Sequence, residues 1–258
     1  MSAKEKFYGG LTRQTSNLIE KAATYNSISD GKRKGEENKR GVFKNKLFAG
    51  SAGGGLFFNT KTILVLGCVS AGKTLLLKNI SRACEVHTLK KLKKGGMSQV
   101  MSLPALTIQT VPTIGVENVN CTYDNLPVVF REVGSELSTM WPSYYEQSNT
   151  IFFVLDVSNY TRIAGPATEI TTMFHLLKAA IARWSKPKPV AILLNKADIA
   201  TVEDVERVST FLRLDELCED YAKACGAAKT SDIALVLEVS SCTGYNIMEL
   251  LMWLKRVA

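Results

Sequence analysis

The sequence predicts an α/β domain: a mainly parallel, six-stranded, doubly wound sheet with helices on both faces and one antiparallel edge hairpin. Three observations predict it. Short runs rich in Leu and β-branched residues recur at 63–66, 151–157, 190–194 and 233–239, each followed by a helical or polar segment, which is how buried parallel strands read. Two more strand-like segments, 116–123 and 127–133, are separated only by Asp124-Asn125-Leu126, the spacing of a hairpin. The first run turns at Gly67 and enters a helix after Gly72-Lys73-Thr74-Leu75, and such sheets bind ligands at the carboxyl ends of their strands.

Taken in order, residues 1–57 lack apolar periodicity and are rich in Gly, Ser, Asn and Lys, ending in Gly50-Ser51-Ala52-Gly53-Gly54-Gly55. This is the composition of a disordered arm and flexible linker, so the folded domain is expected over 58–258. The first sixty residues hold eleven Lys or Arg against five Asp or Glu, which places +6 of the net +8 there. The cluster Lys32, Arg33, Lys34, Lys39, Arg40, Lys44 and Lys46 reads first as a solvated arm and second as a weak contact for an anionic membrane. No aromatic residues interleave it in a stacking pattern, which argues against nucleic acid.

The helix after Gly72 is expected over 75–80, and 90–111, with Gly95-Gly96 and four lysines, as a long functional or disordered loop. Behind the hairpin, Trp141, Tyr144 and Tyr145 fall in a partly helical segment. Later helices are expected at about 167–184, 202–224 and 246–257, with Trp184 and Trp253 in the core. His87 and His175 have no catalytic constellation around them.

Composition narrows the function. The six cysteines, Cys68, Cys84, Cys121, Cys218, Cys225 and Cys242, form no C-x-x-C pair, so neither a zinc site nor a disulfide framework is expected, and a reducing compartment fits. No apolar stretch reaches the roughly 20 residues of a membrane helix. No signal-peptide core is legible, Ser2 stands where N-myristoylation needs Gly, and the C-terminal residues are not a prenylation box.

The chemistry lies at the strand ends. Gly67, Gly72, Lys73 and Thr74 fit G-x-x-x-x-G-K-[ST], the P-loop pattern. Gly67 and Gly72 let the backbone of Ser70, Ala71, Gly72 and Leu75 wrap a polyphosphate, with N–H groups and the helix N-terminus facing the anion. Lys73 is expected to bridge the β- and γ-phosphates, and the Thr74 hydroxyl to ligate Mg²⁺. Further along come Pro112-Thr113-Ile114-Gly115, Glu132-Val133-Gly134-Ser135-Glu136, Asn195-Lys196-Ala197-Asp198 and Ser240-Ser241-Cys242.

With these five motifs in place, residues 60–258 resemble a small GTPase of the ADP-ribosylation factor-like family. Arg131-Glu132-Val133-Gly134-Ser135 and Trp141-Pro142-Ser143-Tyr144-Tyr145 look most like its divergent sixteenth branch. The resemblance implies a P-loop NTPase small-GTPase domain binding GTP or GDP with Mg²⁺. It also implies effectors, an exchange factor and a GTPase-activating protein, and a cytoplasmic role in membrane traffic near the Golgi or cilium. Asp198 can accept from the N1–H and N2–H₂ edge of guanine, which adenine does not present. Asn195 is expected to brace the loops and the base edge, Lys196 to lie over the purine and Ser241 N–H to reach guanine O6, with Cys242 a nucleotide-binding position of the same motif, whose main contact comes from backbone. Thr113 is expected to ligate Mg²⁺ and sense the γ-phosphate, Gly134 N–H to bond that phosphate, and Glu132 to reach the metal through water.

Two departures bear on turnover. Glu132 stands where the family has Asp, and Glu136 where it has the Gln that orients the attacking water. An ionised Glu only accepts and repels phosphate charge, so the sequence predicts slow hydrolysis. Val116 and Arg131 replace two aromatic effector-presenting positions, with Tyr144 keeping the third. The alternatives are a GTP-locked scaffold without useful hydrolysis, and a P-loop ATPase or small-molecule kinase, against which Asp198 and Thr113 argue.

Overall fold

The computed structural model describes residues 60–91, 107–159, 163–181 and 187–258. Six strands form one sheet: β1 (Lys61–Gly67), β2 (Val116–Tyr123), β3 (Leu126–Val133), β4 (Thr150–Asp156), β5 (Val190–Asn195) and β6 (Ala234–Val239), in the order β2-β3-β1-β4-β5-β6. All neighbours are parallel except the β2–β3 hairpin. Its turn is shorter than the sequence predicts. Only Asp124 and Asn125 leave the strands, at φ 50° and 66°, and left-handed dihedrals at both central residues match the right-handed twist of the strands.

Because side chains alternate along a strand, each central strand feeds two cores. Ile63 and Val65 of β1 pack with Leu76, Leu77 and Ile80 of α1 (Lys73–Lys91) and with Ile247, Leu250 and Leu254 of α6 (Ile247–Val257). Leu64 and Leu66 point the other way, into a core with Trp141 and Tyr145 of α2 (Trp141–Tyr145) and Ile170, Phe174 and Leu177 of α3 (Ala164–Ala180). Val208 of α4 (Val202–Leu212) and Tyr221 of α5 (Leu214–Ala224) complete that side. Burial on both faces explains why β4 and β5 read as unbroken apolar runs.

Two helices differ from expectation. α1 runs on through Lys90 and Lys91, residues expected to be loop. Lys91, with Lys255 of α6, reaches Asp124 at the hairpin turn, a tertiary contact that local composition does not register. The helix expected over 202–224 is two, divided at Arg213 in the left-handed region (φ 51°). The break turns the chain so that Leu212 and Leu214 are both buried. Thr201 starts α4 with a capping box: its hydroxyl accepts from Asp204 N–H at 3.2 Å, and the Asp204 carboxylate accepts from Thr201 N–H at 3.0 Å. The basic arm, Trp184 and most of the 90–111 segment lie outside the described residues. Trp253 is buried, and its indole N–H donates to Ser231 O. Among the described residues, no helix is long and apolar enough to cross a membrane.

Candidate functional site

The motif residues lie where β1, β3, β5 and β6 end, joined by residues 112–115 on the segment that leads into β2. The turn from β1 into α1 requires its glycines. Gly67 has φ +140°, and a Cβ there would stand 2.2 Å from Val154 O on the adjacent strand. Gly72, at φ +90°, would place a Cβ 2.4 Å from Asn195 Nδ2. Ser70 adopts φ 62° without being glycine, so the loop curls through three left-handed positions. Gly67→Ala is expected to destabilise the fold by about 3 kcal/mol or more, since neither the dihedral nor the backbone oxygen can yield. Urea unfolding checks this, and an unchanged midpoint contradicts it.

Lys73 is 7% exposed and folds back over the loop, donating to Gly67 O at 2.8 Å and Cys68 O at 2.9 Å. Burial pushes its ammonium below the ordinary lysine value, opposed by the negative charge of Glu132. A cation held in a ring of backbone dipoles at a helix N-terminus is suited to a polyphosphate anion.

Three oxygens from three separate elements converge beside it. Thr74 Oγ1 of α1 and Thr113 Oγ1 of the segment before β2 lie 3.0 Å apart, and they donate to Glu132 Oε1 of β3 at 2.8 and 3.0 Å. Glu132 is 2% exposed. Two hydroxyls and one buried carboxylate form a hard-oxygen donor set with a single negative charge. That fits Mg²⁺, which binds through one or two carboxylates together with substrate phosphates. Among the described residues there is no cluster of three acidic, His or Cys side chains, so the fit depends on the threonines.

Gly134 lies against the same group, and its N–H donates to Gly115 O at 2.8 Å. That bond must open before Gly134 can reach a phosphate. A Cβ at Gly134 would stand 2.6 Å from Thr113 O, which accounts for glycine there. Glu136 sits exposed in the following 3₁₀ turn, Ser135–Met140. Of the positions expected to present effectors, Val116 is 38% exposed and Arg131 bonds Asn118 and Gln147.

At the other end of the site, Asn195 is wholly buried and joins two loops. Its Nδ2 donates to Ala71 O at 2.6 Å, while its Oδ1 accepts from Ser241 N–H at 2.9 Å and Ser241 Oγ at 2.8 Å. The Ser241 N–H expected to face guanine O6 is thus spent on Asn195. Lys196 (φ 69°) pairs with Asp156 at 2.6 Å. Asp198 is exposed, and its Oδ1 accepts from Ser240 Oγ at 2.6 Å.

Four residues with parts in this arrangement have no role assigned from sequence. Ser240 Oγ orients Asp198 and caps Cys242 N–H and Thr243 N–H at 3.2 and 3.0 Å. A serine at a strand end ahead of a turn is a signal that was available. Asp156 also ends a strand, β4, and was legible on that ground. Asn79, one and a half turns into α1, donates to Ser241 O at 3.2 Å, and nothing local announces it. Glu169 of α3 accepts from Cys68 Sγ at 3.1 Å beneath the loop. Burial, then that bond and the glutamate charge, push the Cys68 thiol up to about 12, and burial also raises the Glu169 carboxyl.

With the geometry established, similarity to known proteins becomes informative. The profile of the ADP-ribosylation factor family matches residues 55–258. Human ADP-ribosylation factor-like protein 16 is 26% identical over 192 residues, covering 74% of this chain and 83% of its own length. ADP-ribosylation factor-like protein 3 of Caenorhabditis elegans is 27% identical over 175 residues, covering 66% and 80%. Among solved structures, the Arl6 BBS3 small GTPase from Trypanosoma brucei with a bound nucleotide analogue superposes with a TM-score of 0.53. It does so at 17% identity, over 76% of this chain and 95% of its own.

Proposed function

The chain belongs to the ADP-ribosylation factor family, and from that premise we propose that it is a guanine-nucleotide-binding switch that recruits protein effectors in its GTP state. The observation that supports this most directly is the buried Asn195 side chain. It ties Ala71 of the phosphate loop to Ser241 of the loop beside Asp198, so phosphate binding and base reading belong to one site.

In this reading the Ser70–Leu75 backbone and Lys73 hold the polyphosphate, and Asp198, oriented by Ser240, reads the guanine edge. An ATP edge would leave that carboxylate without its two donors. Thr74 and Thr113, with Glu132 acting through water, would hold Mg²⁺, which when bound neutralises phosphate charge. Thr113 and Gly134 lie on separate segments joined by the Gly115–Gly134 hydrogen bond. A γ-phosphate exchanges that bond for contacts to itself, and its loss lets the bond reform.

Glu136 makes the turnover slow, because a carboxylate next to the γ-phosphate can accept from water but cannot donate to the transition state. The same residue favours a second reading, a GTP-locked scaffold. Both are tested with the full chain by GTP, GDP and ATP competition, then single-turnover hydrolysis with and without Glu136→Gln. Preference for GTP over ATP and a rate raised about tenfold or more by Glu136→Gln are expected. ATP displacing GTP at equal concentration overturns guanine selectivity. A wild-type rate matching Glu136→Gln removes the handicap assigned to Glu136, and a wild type with no turnover at all selects the scaffold. A cytoplasmic place in membrane or ciliary traffic near the Golgi or cilium, a weak anionic-membrane contact through the basic arm, and regulation by an exchange factor and an activating protein complete the proposal by family analogy.

A further inference from the structure

Away from the nucleotide site, α1 and the edge strand β2 bring two cysteines together. Cys84, 3% exposed, faces inward from α1, and Cys121 sits half-buried on β2 opposite Val128 of β3. Cys84 belongs to the core beneath α1 and α6, and Cys121 packs against it. Their thiols share a hydrogen bond, and Ser81, one helical turn before Cys84, also bonds the Cys121 sulfur. A cavity of 370 Å³ opens on the pair, with Ser81, Glu85, Thr88 and Thr122 among its walls.

Buried cysteines are ordinarily inert packing groups. This pair departs from that on two counts. A largely apolar cavity is lined by both residues, and Cys121 is the more exposed of the two. The hydrogen bonds from Cys84 and Ser81 draw Cys121 below the ordinary thiol value, against burial and the charge of Glu85. The shared hydrogen bond, then burial, raise Cys84. Cys121, the more exposed thiol, is the one a small disulfide reaches first, with the buried Cys84 behind it.

We propose that Cys84 and Cys121 are a redox-active thiol pair, in which Cys121 attacks a low-molecular-weight disulfide admitted by the cavity and Cys84 resolves the product into an intrachain disulfide joining α1 to β2. The Cys121 thiolate attacks one sulfur of the small disulfide RSSR, the S–S bond breaks, and RS⁻ leaves, taking up the proton that Cys84 gives up. The Cys84 thiolate then attacks Cys121 Sγ in the mixed disulfide and expels the second RS⁻, which is protonated from water; the proton that ionised Cys121 had already gone to solvent. Two protein thiols are oxidised and one RSSR is reduced to two RSH. The new bond fastens the helix that begins with Lys73 and Thr74 to the strand that follows Thr113 and Gly115.

The test uses the full reduced chain, oxidised glutathione as RSSR, an iodoacetamide block and peptide mass spectrometry, with folding of each variant checked by circular dichroism. Wild type is expected to yield a Cys84–Cys121 cross-linked peptide. Cys84→Ser, or Cys84→Ala should the serine unfold the protein, is expected to stop at glutathione on Cys121. In Cys121→Ser, Cys84 is expected to react at least about tenfold more slowly than Cys121 does in Cys84→Ser. Wild type with both cysteines alkylated overturns the pair as a redox site. So does a Cys84 variant whose Cys121 takes up glutathione no faster than the exposed Cys242. The readout requires no nucleotide, so its failure is independent of the proposed switch function.

Discussion

Lys73→Met is expected to lower nucleotide affinity by at least about a hundredfold while leaving the nucleotide-free fold near its wild-type stability. The loss follows from removing a buried cation that is worth several kcal/mol against a polyphosphate held by charge-assisted hydrogen bonds. The neutral effect on the free fold follows from two opposed contributions. Methionine gives up the bonds to Gly67 O and Cys68 O, about 1 kcal/mol each. It also removes a charge whose burial is unfavourable, a gain of similar size. Guanine nucleotide with Mg²⁺ should therefore raise the melting temperature of wild type and not of Lys73→Met. A variant that still gains stability from nucleotide contradicts the assignment of Lys73, whereas a variant unfolded without ligand contradicts the offset.

Asn195→Ala is expected to damage fold and site together. Its truncation strands Ala71 O and Ser241 N–H in a region with no access to water. Ser241 Oγ retains Gly72 O at 3.3 Å as a weaker partner. At about 1–3 kcal/mol for each buried group left unpaired, the total is roughly 3 kcal/mol or more. For a folded unit of this size that lowers the melting temperature by roughly 6–12 °C. Nucleotide affinity should fall as well, because the phosphate loop loses its tie to the loop beside Asp198. Calorimetry on the nucleotide-free chain and fluorescent-nucleotide titration read the two effects separately. Lost affinity with an unchanged melting temperature would mean that Asn195 contacts ligand without bracing the loops.

The sheet was legible because its central strands are buried on both faces, leaving β4 and β5 no reason to carry polar residues. Helix ends were less legible. Arg213 divides α4 from α5 through a left-handed dihedral that a long polar side chain does not advertise, and α1 extends to Lys91 because Asp124 lies across from it. Ionic and dihedral events of that kind depend on what arrives from elsewhere in the chain.

The site divides the same way. Gly67, Gly72, Lys73 and Thr74 are adjacent in sequence, and their spacing alone expresses what a polyphosphate requires of a backbone: no Cβ at the bend, N–H groups in series and a cation at the helix start. Asp198 and Thr113 likewise identify themselves by short motifs. By itself, then, the sequence determined the sheet, the P-loop pattern and the residue types from which guanine and hard-cation binding are proposed. The tertiary structure alone decided which groups meet. Glu132 lies 2.8 Å from Thr74 although 58 residues separate them, Asn79 reaches Ser241 across 162, and Glu169 approaches Cys68 from 101 residues away. The physical reason is that local motifs encode backbone conformation, whereas a hydrogen bond between distant side chains exists only once the hydrophobic cores have brought their elements to hydrogen-bonding distance.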